Sequence, residues 1–188
     1  MEYSIFVEKI RNIVEEACRK DTNIFGYEIW SYHIVDVVKH SQMLAERLGA
    51  DTQVVELAAL LHDYAGIKDS SLQEAHHIYG AEEAERILKS FNYPADKIEK
   101  VKQCILLHRG SIKAERLTPE SVCIASADAM AHITQIPSLL HLVYFKRGMA
   151  VDDGVKWVKD KIERSWNKLC LEAREIVEDY YNSAKKIL

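Results

Sequence analysis

The residues of this chain best suited to chemistry are His62 and Asp63, which follow directly on the apolar run Leu57–Leu61. A Leu/Ala run of this kind is expected to be buried, and it carries an imidazole and a carboxylate side by side into a dry interior. Because an unpartnered buried carboxylate costs several kcal/mol, its usual partner is a cation or a metal. Further imidazole and carboxylate candidates for the same coordination shell are His33, His76, His108 and Asp128.

The sequence predicts amphipathic helices around these candidates, with each polar side chain on an apolar face. His33 lies on the same helical stripe as Leu44, and His108 follows Ile105 on another. Asp128 lies among small residues that let another backbone or an ion approach closely. Polar groups from several helices are therefore expected to point inward, and the interior of a bundle is where facing helices build metal sites.

Each candidate also has an ordinary structural interpretation. A single histidine on an apolar face is more often a hydrogen-bonded core residue than a ligand, and a His-Asp pair occurs in many helices by chance. The conjunction favours a metal: a histidine, then His-Asp at the end of an apolar helix, then an aspartate inside another apolar helix. Mixed imidazole and carboxylate ligands suit Mn, Fe, Co, Ni or Zn better than Ca.

Composition predicts one all-α domain that spans residues 1–188. This length suffices for a single well-buried core, with little room for a second. The small numbers of glycines (7) and prolines (3) disfavour a turn-rich β architecture. The candidate residues are expected in a core at about 29–136, and one long amphipathic helix at about 153–187 is expected to pack on it.

Charge and cysteine usage exclude several classes of protein. A net charge of −4 gives no basic footprint, so no nucleic-acid partner is expected. No apolar segment approaches the roughly 20 residues of a membrane span, and the first residues lack a signal-peptide core. The chain is therefore expected to be cytoplasmic, with reduced thiols at its scattered cysteines: Cys18, Cys104, Cys123 and Cys170.

Five segments of the chain together follow the motifs of a known family. These are His33 with Val37 and Ala45, the run Ala59–Asp63, the run His76–Ala81, the run Ile105–Arg109, and Ala127–Ala129. In this order they resemble the HD-domain superfamily of metal-dependent phosphohydrolases, whose motif is H…HD…D. The chain is most similar to the small single-domain HD hydrolases, which include nucleotide pyrophosphohydrolases.

The resemblance implies a single-domain helical HD bundle that binds one or two divalent ions, from Mn, Fe, Co, Ni, Zn and Mg. It implies that one ion is ligated by His33, His62, Asp63 and Asp128. His76 and His108 are in place for a second ion, with Asp63 as the bridging carboxylate. In mononuclear branches of the family the extra histidines instead face the substrate phosphate.

Other roles follow from the same resemblance. It gives catalytic roles to His62, Asp63 and His108. The spacing to Gly80 favours His76 over His77 as the ligand, although one residue of helix register decides between them. His40 matches no motif position and is expected either in the core or as a partner behind the metal ligands. His132 and His141 are assigned ordinary structural roles.

Positive side chains are needed to steady a phosphorylated substrate. The candidates follow helix ends near the motif residues: Lys68, Arg109, Lys113 and Arg147. For most of them a solvated surface charge is the favoured interpretation. Arg109 is the exception because it adjoins His108, and an arginine offers a bidentate contact to phosphate.

The predicted function is a metal-dependent phosphohydrolase that uses a metal-activated water on a phosphoester or phosphoanhydride, with a nucleotide as the expected small-molecule substrate. Two alternatives stay open. One is a di-iron oxygenase of the HD type, because a minority of HD proteins perform oxidative chemistry on the same ligands. The other is a catalytically idle nucleotide-binding sensor. Monomer and homodimer are both compatible with the sequence.

Overall fold

A computed structural model describes residues 2–109 and 115–188, and in these residues all regular structure is helical. Within the same ranges, no helix is both long and apolar enough to cross a membrane. The helices are α1 (Tyr3–Cys18), α2 (Val35–Leu48), α3 (Thr52–Leu61), α4 (Tyr64–Lys68), α5 (His76–Ser90), α6 (Ala95–Leu107), α7 (Pro119–Thr134), α8 (Ile136–His141), α9 (Val151–Lys168) and α10 (Leu171–Ile187).

Helix α7 is the centre of the bundle and packs against α2, α3, α6, α9 and α10. Its alanines and other small residues allow this, since they let neighbouring helices approach its backbone. The helix begins with Thr118 as the N-cap and Pro119 in the first turn. Thr118 and Ser121 form a reciprocal capping box, which fixes the start of the helix and hence the position of Asp128.

Helix α3 is largely buried, and the pair His62-Asp63 follows directly on its last residue. Asp51 caps its first turn by accepting hydrogen bonds from the backbone N–H of Gln53 (3.0 Å) and Val54 (3.3 Å). Residues 54–61 are all buried, which confirms the expectation from the Leu/Ala run. The helix ends at Leu61, so that His62 emerges at the middle of the bundle.

The helix that carries His33 begins with a turn of π-helix, Trp30–Ile34, which continues into α2. The helix expected for the stripe that contains His33 and Leu44 is therefore present, but its first turn is wider than an α-helical one. Turns of π-helix occur frequently at functional sites. Here the turn contains His33, which is buried.

The prediction of one long C-terminal helix at about 153–187 is wrong, because the chain breaks between α9 and α10. Leu169 is extended (φ −67°, ψ 139°) and its side chain is buried. The backbone N–H of Cys170 donates to the hydroxyl of Ser126 on α7 (3.2 Å) rather than to a carbonyl of its own helix. Because both halves are amphipathic, the apolar periodicity alone did not reveal the break.

Candidate metal centre

The first group of converging side chains, called here the first cluster, consists of His33, His62 and Asp128. One ligand atom from each lies within 4.8 Å of the others, and all three residues are buried. The Nε2 atoms of His33 and His62 are 3.2 Å apart, and His33 Nε2 is 3.5 Å from Asp128 Oδ1. The three residues come from the π-helical turn, the end of α3 and the middle of α7.

The second cluster consists of Asp63, His76 and His108, with the same spacing of ligand atoms. The Nε2 atoms of His76 and His108 are 3.1 Å apart. Asp63 Oδ1 lies 3.3 Å from Nε2 of His76 and 3.7 Å from Nε2 of His108. The first turn of α5 supplies His76 and the end of α6 supplies His108.

Asp63 belongs to the second cluster but also contacts the first, so that it presents one oxygen to the histidines of each. Its Oδ2 is 3.3 Å from Nε2 of His33 and 3.3 Å from Nε2 of His62. Its Oδ1 faces the second cluster. A carboxylate in this position has the geometry of a bridging ligand between two cations.

Hydrogen bonds on the side of the ring away from the site fix the orientation of three imidazoles. Each of these histidines donates its Nδ1–H to the backbone carbonyl three residues earlier. These pairs are His62 to Ala59 (2.7 Å), His76 to Gln73 (2.7 Å) and His108 to Ile105 (2.6 Å). Such a bond leaves the Nε2 lone pair directed at the centre. Two lone pairs about 3 Å apart repel each other unless a proton or a cation lies between them, so these residues fit divalent cations.

The electrostatics of the site point the same way. Burial lowers the pKa of His62, but the neighbouring Asp63 carboxylate overcomes this effect and raises the pKa to about 9, so the site favours a positive charge at His62 Nε2, carried by a proton or by a bound cation. Burial and the charge on His62 lower the pKa of His108 to about 3. Although burial raises the pKa of Asp63 and Asp128, His62 holds the former, and Lys168 the latter, well below its ordinary value. The carboxylates are thus ionised and draw positive charge into the site.

Five of the six residues of the two clusters line a cavity of about 440 Å³, and the exception is His62, which has no exposed surface. Of the two adjacent histidines, His76 lines the cavity and faces Asp63, whereas His77 does neither. Arg109 and Arg147 also line it. Aromatic and apolar side chains from the segment before α2, from α8 and the turn that follows it, and from α9 complete the wall: Phe25, Ile29, Tyr32, Leu139, Leu142 and Trp157.

The predicted phosphate-binding cations have different environments. Arg109 bonds the carbonyl and the carboxylate of Glu74, and Arg147 stacks on the ring of Trp157 with its guanidinium 4.7 Å from the centroid. Lys68 is not among the residues that line the cavity, and it pairs with Glu83 (2.8 Å). Lys113 lies outside the described residues.

Sequence reasoning missed three cations on one face of α9: Lys161, Arg164 and Lys168 all line the cavity. Their spacing of i, i+3 and i+7 places them on one side of a helix, which is a signal that the sequence does contain. Burial lowers the pKa of Lys161 from its usual value. This face supplies positive charge opposite the carboxylates of the two clusters.

His132 was also assigned an ordinary structural role, yet it lines the cavity beside the first cluster. It lies one turn after Asp128 on α7, with Nδ1 3.6 Å from Asp128 Oδ1. Its ring stacks on His33, with centroids 4.9 Å apart and an interplanar angle of 21°. The i, i+4 spacing from Asp128 was the sequence signal that could have identified it.

Comparison with known families identifies this arrangement. The family model described as "HD domain" matches residues 30–133, which include both clusters. The chain belongs to the HD-domain family. This confirms the family predicted from the H…HD…D pattern, and at a general level it supports a hydrolase.

This HD domain is similar to part of a longer curated protein. Ribonuclease Y from Petrotoga mobilis is 30% identical over 99 residues, which are 53% of this chain and 17% of the relative. Ribonuclease Y from Enterococcus faecalis is 32% identical over the same length, again with 17% of its own chain covered. The chain thus spans less than a fifth of the length of these relatives.

Solved structures confirm the all-α fold. Bacillus subtilis YpgQ superimposes with a TM-score of 0.71 at 21% identity, covering 97% of this chain and 91% of YpgQ. YpgQ in complex with ADP gives a TM-score of 0.67 at 19% identity, covering 94% and 90% of the two chains. A predicted HD superfamily hydrolase from an uncultured Thermotogales bacterium gives 0.57 at 23% identity, covering 83% and 84%.

Proposed function

We propose that this HD domain is a metal-dependent phosphohydrolase that acts on a phosphoester or phosphoanhydride of a nucleotide. The observation that carries the proposal is the position of Asp63, with one oxygen toward His33 and His62 and the other toward His76 and His108. A shared carboxylate between two imidazole pairs is suited to hold two cations side by side.

Bound ions would activate water, and the cationic side chains around the cavity would bind the substrate. A divalent cation lowers the pKa of a water ligand toward about 7 and withdraws charge from phosphoryl oxygens. The cations of α9 face the same cavity, so Lys161 and Arg164 would hold the negative oxygens of the substrate against this centre. Preorganised charges of this kind favour the transition state because they need no rearrangement during reaction.

The shape of the cavity favours a nucleotide over a bare phosphate. Its volume of about 440 Å³ is in the range of sites for small organic ligands. Beyond the cations the wall carries Phe25, Tyr32 and Trp157, whose rings are suited to contact a planar base. YpgQ, which shares the fold, has been solved in complex with ADP.

RNA is a second substrate class to test, because the curated relatives are ribonucleases by name. They share about 30% identity with this chain over 99 residues and are much longer. The net charge of −4 argues against extended nucleic-acid contacts. A small nucleotide is therefore the favoured substrate.

The test is a hydrolysis screen of the purified protein with Mn²⁺, Co²⁺, Mg²⁺ or Fe²⁺. Substrates are nucleoside mono-, di- and triphosphates, dinucleoside polyphosphates and a short RNA, with release of phosphate, pyrophosphate and nucleotides followed by chromatography. We expect turnover of a nucleotide by the wild-type protein. Asp63→Ala should lose more than about 100-fold in activity, since even outer partners of metal ligands cost about 10- to 100-fold.

Asp179→Ala, at an exposed position of α10, is the matched control and should keep wild-type activity. Circular dichroism of both variants checks that the helices persist. Full activity of metal-free Asp63→Ala would contradict the proposal. Oxygen uptake by iron-loaded protein without hydrolysis would instead support the oxygenase alternative, and nucleotide binding without any turnover would support the sensor.

A further inference from the structure

The side chain of Lys168 is buried at the junction of the two clusters. Its side chain is 6% exposed, and its ammonium contacts Oδ2 of Asp128 and the backbone carbonyl of His108 (3.1 Å). Asp128 belongs to the first cluster and His108 to the second. One ammonium group therefore connects a residue of each.

The break between the last two helices is what brings Lys168 to this place. Lys168 is the last residue of α9, followed by the extended and buried Leu169. The backbone N–H of Cys170 is held by the Ser126 hydroxyl, two residues before Asp128 on α7. The chain is thus anchored to α7 on both sides of Leu169, through the side chain of Lys168 and the backbone N–H of Cys170.

The contact with Lys168 leaves the two oxygens of Asp128 unequal. Oδ2 is engaged by the ammonium, while Oδ1 faces His33 Nε2 at 3.5 Å and His132 Nδ1 at 3.6 Å. A carboxylate held in this way offers a single oxygen to a cation. The ammonium also places a positive charge next to that cation, which weakens its binding.

We propose that Lys168 is a positioning residue that keeps Asp128 a one-oxygen ligand and limits the affinity of the first cluster for cations. This inference rests on the proposed metal-dependent function. A site that holds its cation through fewer oxygens keeps coordination positions open for water and substrate, as catalytic metal sites require. Lys168 thus lowers the affinity for the cation and raises the turnover rate.

The decisive experiment measures binding of Mn²⁺ alone, by isothermal titration calorimetry and by the electron paramagnetic resonance signal of free Mn²⁺. Lys168→Met keeps most of the side-chain length but removes the charge. We expect its Mn²⁺ affinity to rise at least tenfold, which is about 1.4 kcal/mol. Its kcat should fall at least tenfold, because Asp128 is then free to chelate with both oxygens.

Two further variants separate positioning from simple packing. Lys168→Arg retains the charge and a donor to Oδ2, so its Mn²⁺ affinity should stay within about threefold of wild type. Lys156→Met removes a charge from the exposed face of the same helix, where Lys156 pairs with Asp160 at 2.9 Å, and should change neither quantity. Lys168→Gln repeats the loss of charge with a hydrogen-bond donor retained, should the methionine variant fail to fold.

The possible outcomes distinguish this inference from the function on which it rests. If the wild type binds Mn²⁺ but folded Lys168→Met or Lys168→Gln binds it equally or more weakly, the inference is overturned and the metal centre stands. If the wild type binds no divalent cation, the proposed function fails first. A lower melting temperature without tighter Mn²⁺ binding marks Lys168 as a structural ion-pair partner only, which also overturns the inference.

Discussion

At the centre of the site, the two oxygens of Asp63 face different pairs of histidines. The Nδ1 atoms of His62, His76 and His108 are hydrogen-bonded to backbone carbonyls. These bonds orient each ring so that its Nε2 points toward the oxygens of Asp63. If each cluster binds one ion, each histidine ligates a single ion, whereas Asp63 ligates both. Substitutions of single residues should therefore separate the two ions.

We predict that Mn²⁺-loaded wild-type protein retains two ions per chain after dialysis. His33→Ala and His108→Ala should each retain one, because each removes a terminal ligand from a different cluster. Asp63→Ala should retain fewer than one, since it takes an oxygen from both. Mass spectrometric metal analysis against protein concentration measures the stoichiometry.

His77→Ala is the control for this experiment, because His77 adjoins His76 in the sequence but does not face Asp63. It should retain both ions. Two ions in His108→Ala would show that the second cluster is not a metal site. Loss of an ion in His77→Ala would show that the register of α5 is shifted by one residue.

At the scale of elements, the close approach of α5 to the end of α3 brings His76 to the pair His62-Asp63. Gly80 makes this approach possible, because a Cβ at this position would lie 3.2 Å from Ile105 Cγ2 and 3.3 Å from the backbone oxygen of His62. A backbone carbonyl cannot move aside as the end of a flexible side chain can. A larger residue at position 80 must therefore push α5 away.

We predict that Gly80→Val destabilises the protein by about 1–3 kcal/mol, the usual cost of forcing extra volume into a well-packed interior. Because α5 carries His76, the second ion should also bind more weakly. Urea denaturation measures the free energy of unfolding, and Mn²⁺ titration measures the second ion.

Glu82→Val places the same residue on the exposed side of α5 and tests helix propensity alone. A surface change of this kind should stay within about 0.5 kcal/mol of wild type. Equal destabilisation by both variants would contradict the steric argument for Gly80. Normal Mn²⁺ binding in Gly80→Val would show that α5 can shift without moving His76.

At the scale of the whole molecule, the site is assembled only when segments that are distant in the sequence pack together. The ligands of the two clusters span residues 33–128 and come from the π-helical turn, the α3–α4 junction and helices α5, α6 and α7. An unfolded chain does not hold these groups together. Cations that bind only the folded state must therefore stabilise it.

We predict that removal of metal with EDTA lowers the melting temperature by about 5–10 °C relative to protein with Mn²⁺ at 100 times its Kd. Such an excess contributes about 2.7 kcal/mol, and each kcal/mol is worth about 2–4 °C in a chain of this size. Differential scanning calorimetry measures the shift. Asp63→Ala should show almost none of it, and an equal shift in that variant would assign the effect to unspecific binding.

Part of this site was predictable because the signal was local. His62 and Asp63 end an apolar run, and the caps at Asp51 and Thr118 depend on neighbouring residues only. Other parts were missed although their spacing was present in the sequence. His132 and the cations of α9 lie at helical intervals, but polar residues at such intervals are more often solvated than functional.

The sequence by itself predicted the helical class and the family, and it named most of the imidazoles and carboxylates that meet, because local periodicity and motif order indicate these. Only the tertiary structure decided that Asp63 faces both histidine pairs, that the last helix breaks at Leu169, and that Lys168 reaches Asp128. The reason is physical. Those features depend on packing between elements that are separated along the chain, such as α3 against α6 and α7 against α9, and these elements meet only in the packed bundle.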